Sequence, residues 1–305
     1  QASLGGVSSV VRALRLLDTA GRPHDLSDES DPDAMRAARM GLGMCGVLTR
    51  VTLPVVPQFH MRRRRWRVDD AAGFLAEQLP GLKAAHDRFH YYVHPATGSA
   101  WPMYWEDATA EESAAEGRPC RTALEQLEDA AAPYAPEFGP DGLPLIMRWD
   151  NCSDVSFRSL THAVDMEKQP LWNGELYVAL DDGAEAAATL EILRRFRLVA
   201  EQRTGAGGGV NPDVWMHVRY VGGDTSSLLN PCYGGAVCAA FELALVAPTM
   251  DAPLPPWEEW EAYFSAMQDV LLALGGRPHH AKYHSVTQPP APAFGLPVGE
   301  FYAQC

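Results

Sequence analysis

The clearest alternation of hydrophobic and polar side chains lies in residues 213–221, with the sequence DVWMHVRYV. Alternate residues of a strand point to opposite faces of a sheet, so this pattern predicts a strand with two different faces. The apolar face carries Val214, Met216, Val218 and Tyr220. The other face carries Trp215, His217 and Arg219. The apolar face is expected to pack against a core. The face with Trp215, His217 and Arg219 is expected either to form the floor of a polar pocket or to face solvent.

Similar patterns predict further strands and helices. VVRALRLL with the return RPHDLS predicts a hairpin, and VLTRVTLPVV, FHYYVHP, ELYVAL and AVCAAFELALV predict strands. Ser30 is the expected start of a short helix. Residues 69–89 are expected to form a helix broken near Pro80, and residues 184–205 are expected to form a helix that ends at Gly205. Residues 104–143 are acidic and alanine-rich, and we expect an excursion there with some helix near TALEQLEDAAA.

The last predicted helix, WEEWEAYFSAMQDVLLAL, carries large apolar residues every three or four positions. They form one buried stripe: Trp257, Trp260, Phe264, Met267, Leu271 and Leu274. The glycines at 275 and 276 end this helix, so the following motif RPHHAKYH is predicted to be a loop. His280 and His284 could bind a metal together only on a helix, and the histidines at 86, 90 and 94 lie in a strand-like stretch, so no metal site is expected.

Composition limits the class of protein. The chain has 305 residues, 47% of them hydrophobic, and a net charge of -14, which is typical of a globular fold and unfavourable for binding nucleic acid. No apolar run approaches the roughly 20 residues that span a bilayer. Five arginines lie close together, at 62, 63, 64, 65 and 67. This run is expected to be a solvated face; the alternative is a site for an acidic patch or lipid head groups.

The cysteines and the common catalytic motifs add little. Six dispersed cysteines, at 45, 120, 152, 232, 238 and 305, form no CxxC pair, so buried free thiols are expected. The sequence contains no GxSxG, no P-loop and no GxGxxG followed by a helix, which disfavours hydrolases, nucleotide triphosphatases and Rossmann proteins. The N-terminus shows no secretory signal pattern, and the compartment cannot be predicted.

Five segments occur in the order and spacing of a known family: SSVVRALRLLDTAG, DPDAMRAARMGLGMCGVLTRVTLPVVP, WMHVRYVGGD, NPCYGG and LGGRPHHAKYH. Through them the chain resembles the sugar-acid lactone and alditol oxidases of the vanillyl-alcohol-oxidase flavoprotein superfamily. GMCGVLTRVTL is similar to the family's GALGVITEVTL, and GGRPHHAK to its GGRPHWGK or GGRPHWAK. The resemblance covers nearly the whole chain and is weakest over residues 95–170.

The resemblance implies an α+β fold that binds FAD. Residues 1–56 would be the second half of a PCMH-type FAD-binding domain. Residues 57–305 would be a substrate domain with a large antiparallel sheet flanked by helices, whose last part, about 275–305, returns toward the flavin. The cofactor candidates implied by the family are Ser3, Gly5, Gly6, Gly46 and Val47, where small residues let the chain approach a cofactor closely.

The resemblance also implies the catalytic residues. The family's E-x-R pair falls on His217 and Arg219, and its motif lysine on Lys282. Two cations beside a reacting hydroxyl would stabilise the alkoxide character that develops as hydride leaves for the flavin. His217 replaces the family's glutamate, and as a neutral imidazole it could accept the substrate proton. Ala244 stands where the alditol oxidases have a threonine and His280 where the motif has a tryptophan, so the exact substrate is left open.

The leading hypothesis is therefore an FAD-dependent oxidoreductase that oxidises a sugar lactone, alditol or related polyol. In the family a first flavin subdomain precedes the segment that begins at Gln1, so the chain is either a piece of a longer or cleaved protein or a relative kept for another purpose. Two alternatives remain: a non-catalytic, oxidase-like subunit of a larger assembly, and a sugar-binding protein without a cofactor.

Overall fold

Two antiparallel sheets organise the part of the chain that the computed structural model describes, which is residues 6–120, 151–160, 171–179, 184–205, 209–212, 214–234, 237–246, 253–254 and 256–285. The smaller sheet has the order β2-β1-β3, with β1 at Ala13–Leu17, β2 at Pro23–Ser27 and β3 at Val47–Thr52. A short 3-10 turn, Val7–Val10, precedes it. The predicted hairpin and the strand after it are confirmed.

Helix α1, Pro32–Ala38, connects β2 to β3. Its N-cap is Asp31 rather than the expected Ser30, because the Asp31 carboxylate accepts a hydrogen bond from the amide of Ala34. Gly46 then starts β3 with a φ of +127°, and a Cβ there would lie 2.3 Å from the carbonyl oxygen of Leu17. Only glycine fits this close approach of the two strands.

The larger sheet contains eight strands in the order β11-β8-β10-β9-β5-β6-β4-β7. Their bounds are β4 His60–Arg65, β5 Arg88–His94, β6 Ser99–Ala108, β7 Cys152–Val155, β8 Leu171–Ala179, β9 Val214–Val221, β10 Cys238–Val246 and β11 Arg277–Pro278. All of its strand pairs are antiparallel. β6 extends to Ala108, so the expected excursion does not begin at 104; the helix expected near 122–132 lies outside the described residues.

Helices pack against the large sheet. A helical segment consists of α2 at Ala71–Gly73, a π-turn at Phe74–Gln78 and α3 at Leu79–Ala85. Pro80 lies in the first turn of α3, where a missing amide hydrogen is tolerated, so it does not break the segment. The remaining helices are α4 Ala110–Glu116, α5 Ser156–Leu160, α6 Ala184–Thr204 and α7 Trp257–Ala273. No helix in the described ranges is long and apolar enough to cross a bilayer.

The main core lies between α6, α7 and the apolar face of β8, β9 and β10. It contains all four residues predicted for the apolar face of residues 213–221, namely Val214, Met216, Val218 and Tyr220. The stripe of α7 is buried as far as Leu271, whereas Leu274 lies beyond the helix and is exposed. Gly174 allows this helix to approach β8, because a Cβ there would lie 2.1 Å from the Phe264 ring. The α+β prediction with a large antiparallel sheet flanked by helices is confirmed.

Two predictions about side chains are wrong. The described cysteines are not free thiols: Cys120 bonds to Cys152, Cys232 bonds to Cys238, and Cys45 is also disulfide-bonded.

The arginine run is not a solvated face. Arg63 is 1% exposed and donates to the Ser159 carbonyl. Arg62 pairs with Glu106 and Glu116, and Arg64 also pairs with Glu116. The reason is that two helices pack against β4: Glu116 of α4 pairs with Arg62 and Arg64, and the Ser159 carbonyl of α5 accepts from Arg63. Arg67 lies beyond β4 and is exposed.

Candidate active site

A row of polar side chains crosses four strands on the face of the large sheet opposite the main core. Glu175 on β8 pairs in register with Glu242 on β10, Glu242 with His217 on β9, and His217 with Tyr92 on β5. Residues paired in this way point to the same face of a sheet. Arg219 lies two residues further along β9, on that same face. The face that the sequence left open is therefore a polar site within the sheet rather than an exposed surface.

Two cations hold the two glutamates together. Lys282 Nζ contacts Glu242 Oε1 at 2.6 Å and also donates to Glu175 Oε2. Arg219 Nη2 lies 2.6 Å from Glu175 Oε2 and 3.5 Å from Glu242 Oε2. Carboxylates directly opposite each other on adjacent strands would repel. Because each contacts both cations, the four groups form one alternating cluster, which we call the carboxylate–cation cluster: Glu175, Glu242, Arg219 and Lys282.

The two carboxylates and the guanidinium of the carboxylate–cation cluster are charged at neutral pH. Burial opposes ionisation of Glu175, which is 0% exposed, but Arg219 and Lys282 outweigh it and lower its pKa. Burial also opposes ionisation of Glu242, yet the hydrogen bond from His217 and the two cations hold its pKa well below the usual range. Burial disfavours the charged form of Arg219, but the carboxylates raise its pKa. Two positive and two negative charges give the cluster a formal charge of zero.

His217 is enclosed beside this cluster. Its Nδ1 lies 3.2 Å from Glu242 Oε2, its Nε2 lies 2.9 Å from Nδ1 of His90, and its ring stacks on Tyr92 at 4.1 Å. Burial, more than any other cause, lowers the pKa of His217 to about 4, so the ring is neutral at pH 7. An ionised Glu242 can only accept, so we assign the hydrogen of His217 to Nδ1. Its Nε2 then accepts from Nδ1–H of His90, and both nitrogens of His217 are engaged.

Lys282 reaches the cluster because the chain turns back after α7. Gly275 has a φ of +76°, and the amide of Gly276 donates to the Leu271 carbonyl, which ends the helix. β11 then pairs with β8, and the His279 amide donates to the carbonyl of Glu175. The predicted loop is confirmed in part, because Arg277–Pro278 form the short strand β11. Among the described residues, no group of three or more histidine, cysteine or acidic side chains is arranged to hold a metal ion.

A cavity of about 650 Å³ lies next to Arg219, between the described chain before β4, which we call the N-terminal segment, and the large sheet. The N-terminal segment contributes Gly6, Val7 and Ser8 to its wall. The sheet and its loops contribute Tyr177, Arg219, Asn230, His279 and His280. The volume falls within the range of about 300–1,000 Å³ that is common for small-molecule and cofactor sites.

Helix α1 attaches the N-terminal segment to the loop that follows β9. Arg36 Nη2 donates to the Tyr233 hydroxyl at 2.7 Å, and Arg39 Nη1 donates to the Ser226 carbonyl at 3.0 Å. Ala37 packs against Leu228 in a small apolar cluster. These contacts position both walls of the cavity.

The structure separates the predicted site residues. Arg219 and Gly6 line the cavity, whereas Lys282 and His217 are absent from its wall and reach Arg219 through the two glutamates.

The remaining cofactor candidates lie elsewhere. Gly46 and Val47 lie at the start of β3 and are not part of the cavity wall; Val47 is exposed. Ser3 and Gly5 lie outside the described residues. The roles predicted for these residues stay predictions.

Sequence reasoning missed four residues of the site: Glu175, Glu242, Tyr177 and His90. A signal was present for the two glutamates, since each is the only charged residue in an otherwise apolar predicted strand, ELYVAL and AVCAAFELALV. A charge in such a strand is expected to be paired when it is buried. Their partners could not be identified without the register of the strands.

Comparison with known families decides where the chain belongs. Residues 51–291 match the family model described as D-arabinono-1,4-lactone oxidase. The chain belongs to the D-arabinono-1,4-lactone oxidase family. The match includes β4 to β11 and every member of the carboxylate–cation cluster, and the resemblance found in the sequence is confirmed.

Individual relatives agree with this family. The chain is 26% identical to L-gulonolactone oxidase of Bos taurus over 310 residues, covering 93% of the chain and 62% of the bovine protein. It is 25% identical to L-gulono-1,4-lactone dehydrogenase of Mycobacterium tuberculosis, covering 92% of the chain and 61% of that protein. The chain thus spans about three fifths of the length of these relatives.

Solved structures share the fold at lower identity. A cholesterol oxidase from B. sterolicum superimposes with a TM-score of 0.64 at 16% identity, covering 92% of this chain and 60% of the oxidase. A solvent-stable cholesterol oxidase gives a TM-score of 0.61 at 13% identity. These similarities cover about nine tenths of the chain, and they support the α+β fold class.

Proposed function

We propose that the chain is part of an FAD-dependent oxidoreductase that oxidises a hydroxyl group of a sugar lactone, alditol or related polyol. The observation that carries the proposal is the position of Arg219. This guanidinium is backed by the buried, ionised Glu175 and lines the same cavity as Gly6 of the N-terminal segment. A fixed cation at a cavity wall is suited to stabilise negative charge that develops on a substrate oxygen.

The residues around the cavity fit a flavin ring. The volume is adequate, and Gly6 lies open to it, since a Cβ there would have no neighbour closer than the Ser8 Oγ at 3.6 Å. In this proposal the segment from Gly6 to Ser8 would hold the flavin, and Arg219 would bind the substrate. The flavin, when bound, supplies the acceptor for the hydride that leaves the substrate carbon.

Lys282 and His217 support Arg219 in this proposal. Lys282 keeps Glu175 and Glu242 ionised and at a fixed separation, and His217 orients Glu242 from its other side. Both act through the glutamates, so they are positioning residues. Because the carboxylate–cation cluster has a formal charge of zero, a neutral lactone or polyol fits the site better than a strongly charged substrate.

The test compares the wild-type protein with two variants, Arg219→Met and Arg219→Lys. Loss of one such donor typically lowers turnover by about 10²–10³-fold, so we expect flavin reduction by L-gulono-1,4-lactone to slow by that factor. Lactone affinity, measured by calorimetry, is expected to fall in both variants. Arg194→Met on the exposed face of α6 is the control for the loss of a surface arginine, and near-ultraviolet circular dichroism checks the fold. Reduction of the Arg219→Met variant at the wild-type rate would contradict the proposal.

A second candidate function is a non-catalytic, oxidase-like subunit of a larger assembly. The exposed apolar side chains of the N-terminal sheet and the chain after it favour this candidate: Val47, Leu48, Val51, Leu53, Val55 and Val56. Such a surface marks a contact with another domain or chain. A flavin-binding domain of the same protein would cover it equally well. A native protein that carries flavin and is reduced by a lactone or polyol would reject the non-catalytic candidate.

A further inference from the structure

Oxidation of a hydroxyl requires a group that takes its proton, and most polar groups on the cavity wall cannot do so. Arg219 is always protonated. Burial, and then the Glu175 carboxylate, raise the pKa of Tyr177, so its phenol keeps its hydrogen. Nδ1 of His279 accepts a hydrogen bond from the Ala281 amide at 3.1 Å, which leaves Nε2–H as a donor.

His280 differs from these groups. Its Nε2 lies 3.0 Å from the Leu229 carbonyl oxygen, and a carbonyl only accepts, so this nitrogen carries the hydrogen. Nδ1 is then the nitrogen that carries a lone pair and no hydrogen. His280 lines the same cavity as Arg219. A carbonyl that fixes the tautomer of a histidine is the usual way of orienting a general base.

We propose that Nδ1 of His280 accepts the proton of the substrate hydroxyl; the proposal rests on the function proposed above. The O–H bond breaks, its electron pair becomes the second bond of the new carbonyl, and the proton moves to Nδ1. The hydrogen on the carbon leaves with its own electron pair, for which a bound flavin would supply the two-electron acceptor. Arg219 stabilises the oxygen during this change, and the imidazolium then releases its proton to solvent.

Two histidines near Arg219, His217 and His279, are less suitable for this role. His217 has both nitrogens engaged and is absent from the cavity wall, and the Nδ1 of His279 already accepts a hydrogen bond from a backbone amide. His280 also stands where the family motif carries a tryptophan, whose indole has no basic atom. The base is therefore a property of this chain and its substrate rather than of the motif.

The proposal makes the reaction dependent on pH. Burial lowers the pKa of His280, the Leu229 carbonyl raises it in part, and His284 and His279 lower it further. His279 also lines the wall, and burial, more than any other cause, lowers its pKa as well. Arg219 and Tyr177, whose pKa values are both raised, keep their hydrogens between pH 5 and 8. The reactive neutral form of His280 thus predominates at pH 7, and the rate falls as the ring gains a proton below its usual pKa.

The test compares wild type with His280→Gln, which can keep the bond to Leu229 but has no basic nitrogen. The variants are loaded with FAD in the native, full-length protein, and the rate of anaerobic flavin reduction by L-gulono-1,4-lactone, D-arabinono-1,4-lactone and an alditol is followed from pH 4.5 to 8. We expect His280→Gln to lose about 10²–10⁴-fold in rate, the usual contribution of a general base. It should also lose the acidic limb of the profile, while lactone affinity changes by only a few fold. His24→Gln on the exposed hairpin should leave rate and profile unchanged, and His279→Gln should keep the acidic limb.

A second measurement does not depend on turnover. Nitrogen NMR of protein labelled in histidine is expected to show His280 with Nε2 protonated and Nδ1 unprotonated at pH 7. The reverse tautomer would overturn the proposal, and so would a His280→Gln variant that keeps the wild-type rate and profile. If no lactone or alditol reduces the wild-type flavin, the proposed function fails and the proton acceptor fails with it. Reduction of wild type and variant alike refutes His280 alone.

Discussion

Removal of the Lys282 charge is the most informative perturbation of the carboxylate–cation cluster. In wild type two cations balance two carboxylates, and Lys282→Met leaves Glu175 and Glu242 facing each other with Arg219 as their only full positive charge. Loss of one partner from a buried ion pair typically costs about 3–5 kcal/mol. The Lys282 side chain is 22% exposed and Arg219 still reaches both carboxylates, so we expect the lower end, about 3 kcal/mol.

Urea unfolding at pH 7 measures this loss, and a double variant tests its origin. Lys282→Met combined with Glu242→Gln restores the charge balance, because one cation then faces one carboxylate. We therefore expect the double variant to be more stable than Lys282→Met alone, a coupling that only an electrostatic origin explains. Arg194→Met, which removes an exposed ion pair of α6, is expected to change stability very little.

Two results would refute this reasoning. A Lys282→Met variant no less stable than the Arg194→Met control would show that the cluster does not depend on its second cation. Two destabilisations that simply add in the double variant would show that Lys282 and Glu242 act independently.

Three further predictions concern other parts of the structure. The pKa of His217 is about 4 in the folded chain and about 6.5 when exposed, so the unfolded state binds the proton more readily. The free energy of unfolding therefore falls as pH drops from 6.5 to 4, by on the order of 3 kcal/mol. Thermal melts across that range should show a smaller fall for His217→Gln. Gly46→Ala should lower the melting temperature sharply, because the new Cβ would meet the Leu17 carbonyl. Gly6→Ala should leave the melting temperature nearly unchanged but weaken flavin binding in a fluorescence titration. Equal melting temperatures for the two variants would contradict this prediction. Peptide mapping should recover Cys232 and Cys238 as one disulfide-linked pair, and alkylation of either before reduction would count against the bond.

Much of the architecture could be predicted from the sequence because it follows from local periodicity. The alternation in residues 213–221 separates the core face of β9 from the face that carries Arg219, and the spacing in α7 identifies its buried stripe. Helix ends at glycine likewise depend on backbone conformation near one residue. These features need no knowledge of distant parts of the chain.

The site itself depends on distant contacts, which explains what sequence reasoning missed. Glu175 and Glu242 meet because β8 and β10 pair in one particular register, although 67 residues separate them along the chain. A one-residue change of register would send every side chain of a strand to the opposite face. The expectation that His217 replaces the family's glutamate was therefore incomplete: a carboxylate is present beside it, on the neighbouring strand.

The predictions for the cysteines and for the arginine run were wrong for a similar reason. Spacing along the chain does not show that Cys120 lies near Cys152, since their separation is 32 residues. Nor does it show that α5 packs on β4, where the Ser159 carbonyl meets the buried Arg63. Pairing partners are properties of the fold.

The central claim is that this site oxidises a sugar lactone or polyol with a bound flavin, and one measurement tests it most directly. The native, full-length protein is purified without added cofactor, and its visible absorption spectrum is recorded under anaerobic conditions before and after addition of L-gulono-1,4-lactone, D-arabinono-1,4-lactone and an alditol. The account predicts an oxidised flavin spectrum that at least one of these compounds bleaches. A protein without flavin absorbance, or one whose flavin none of these compounds reduces, would contradict it.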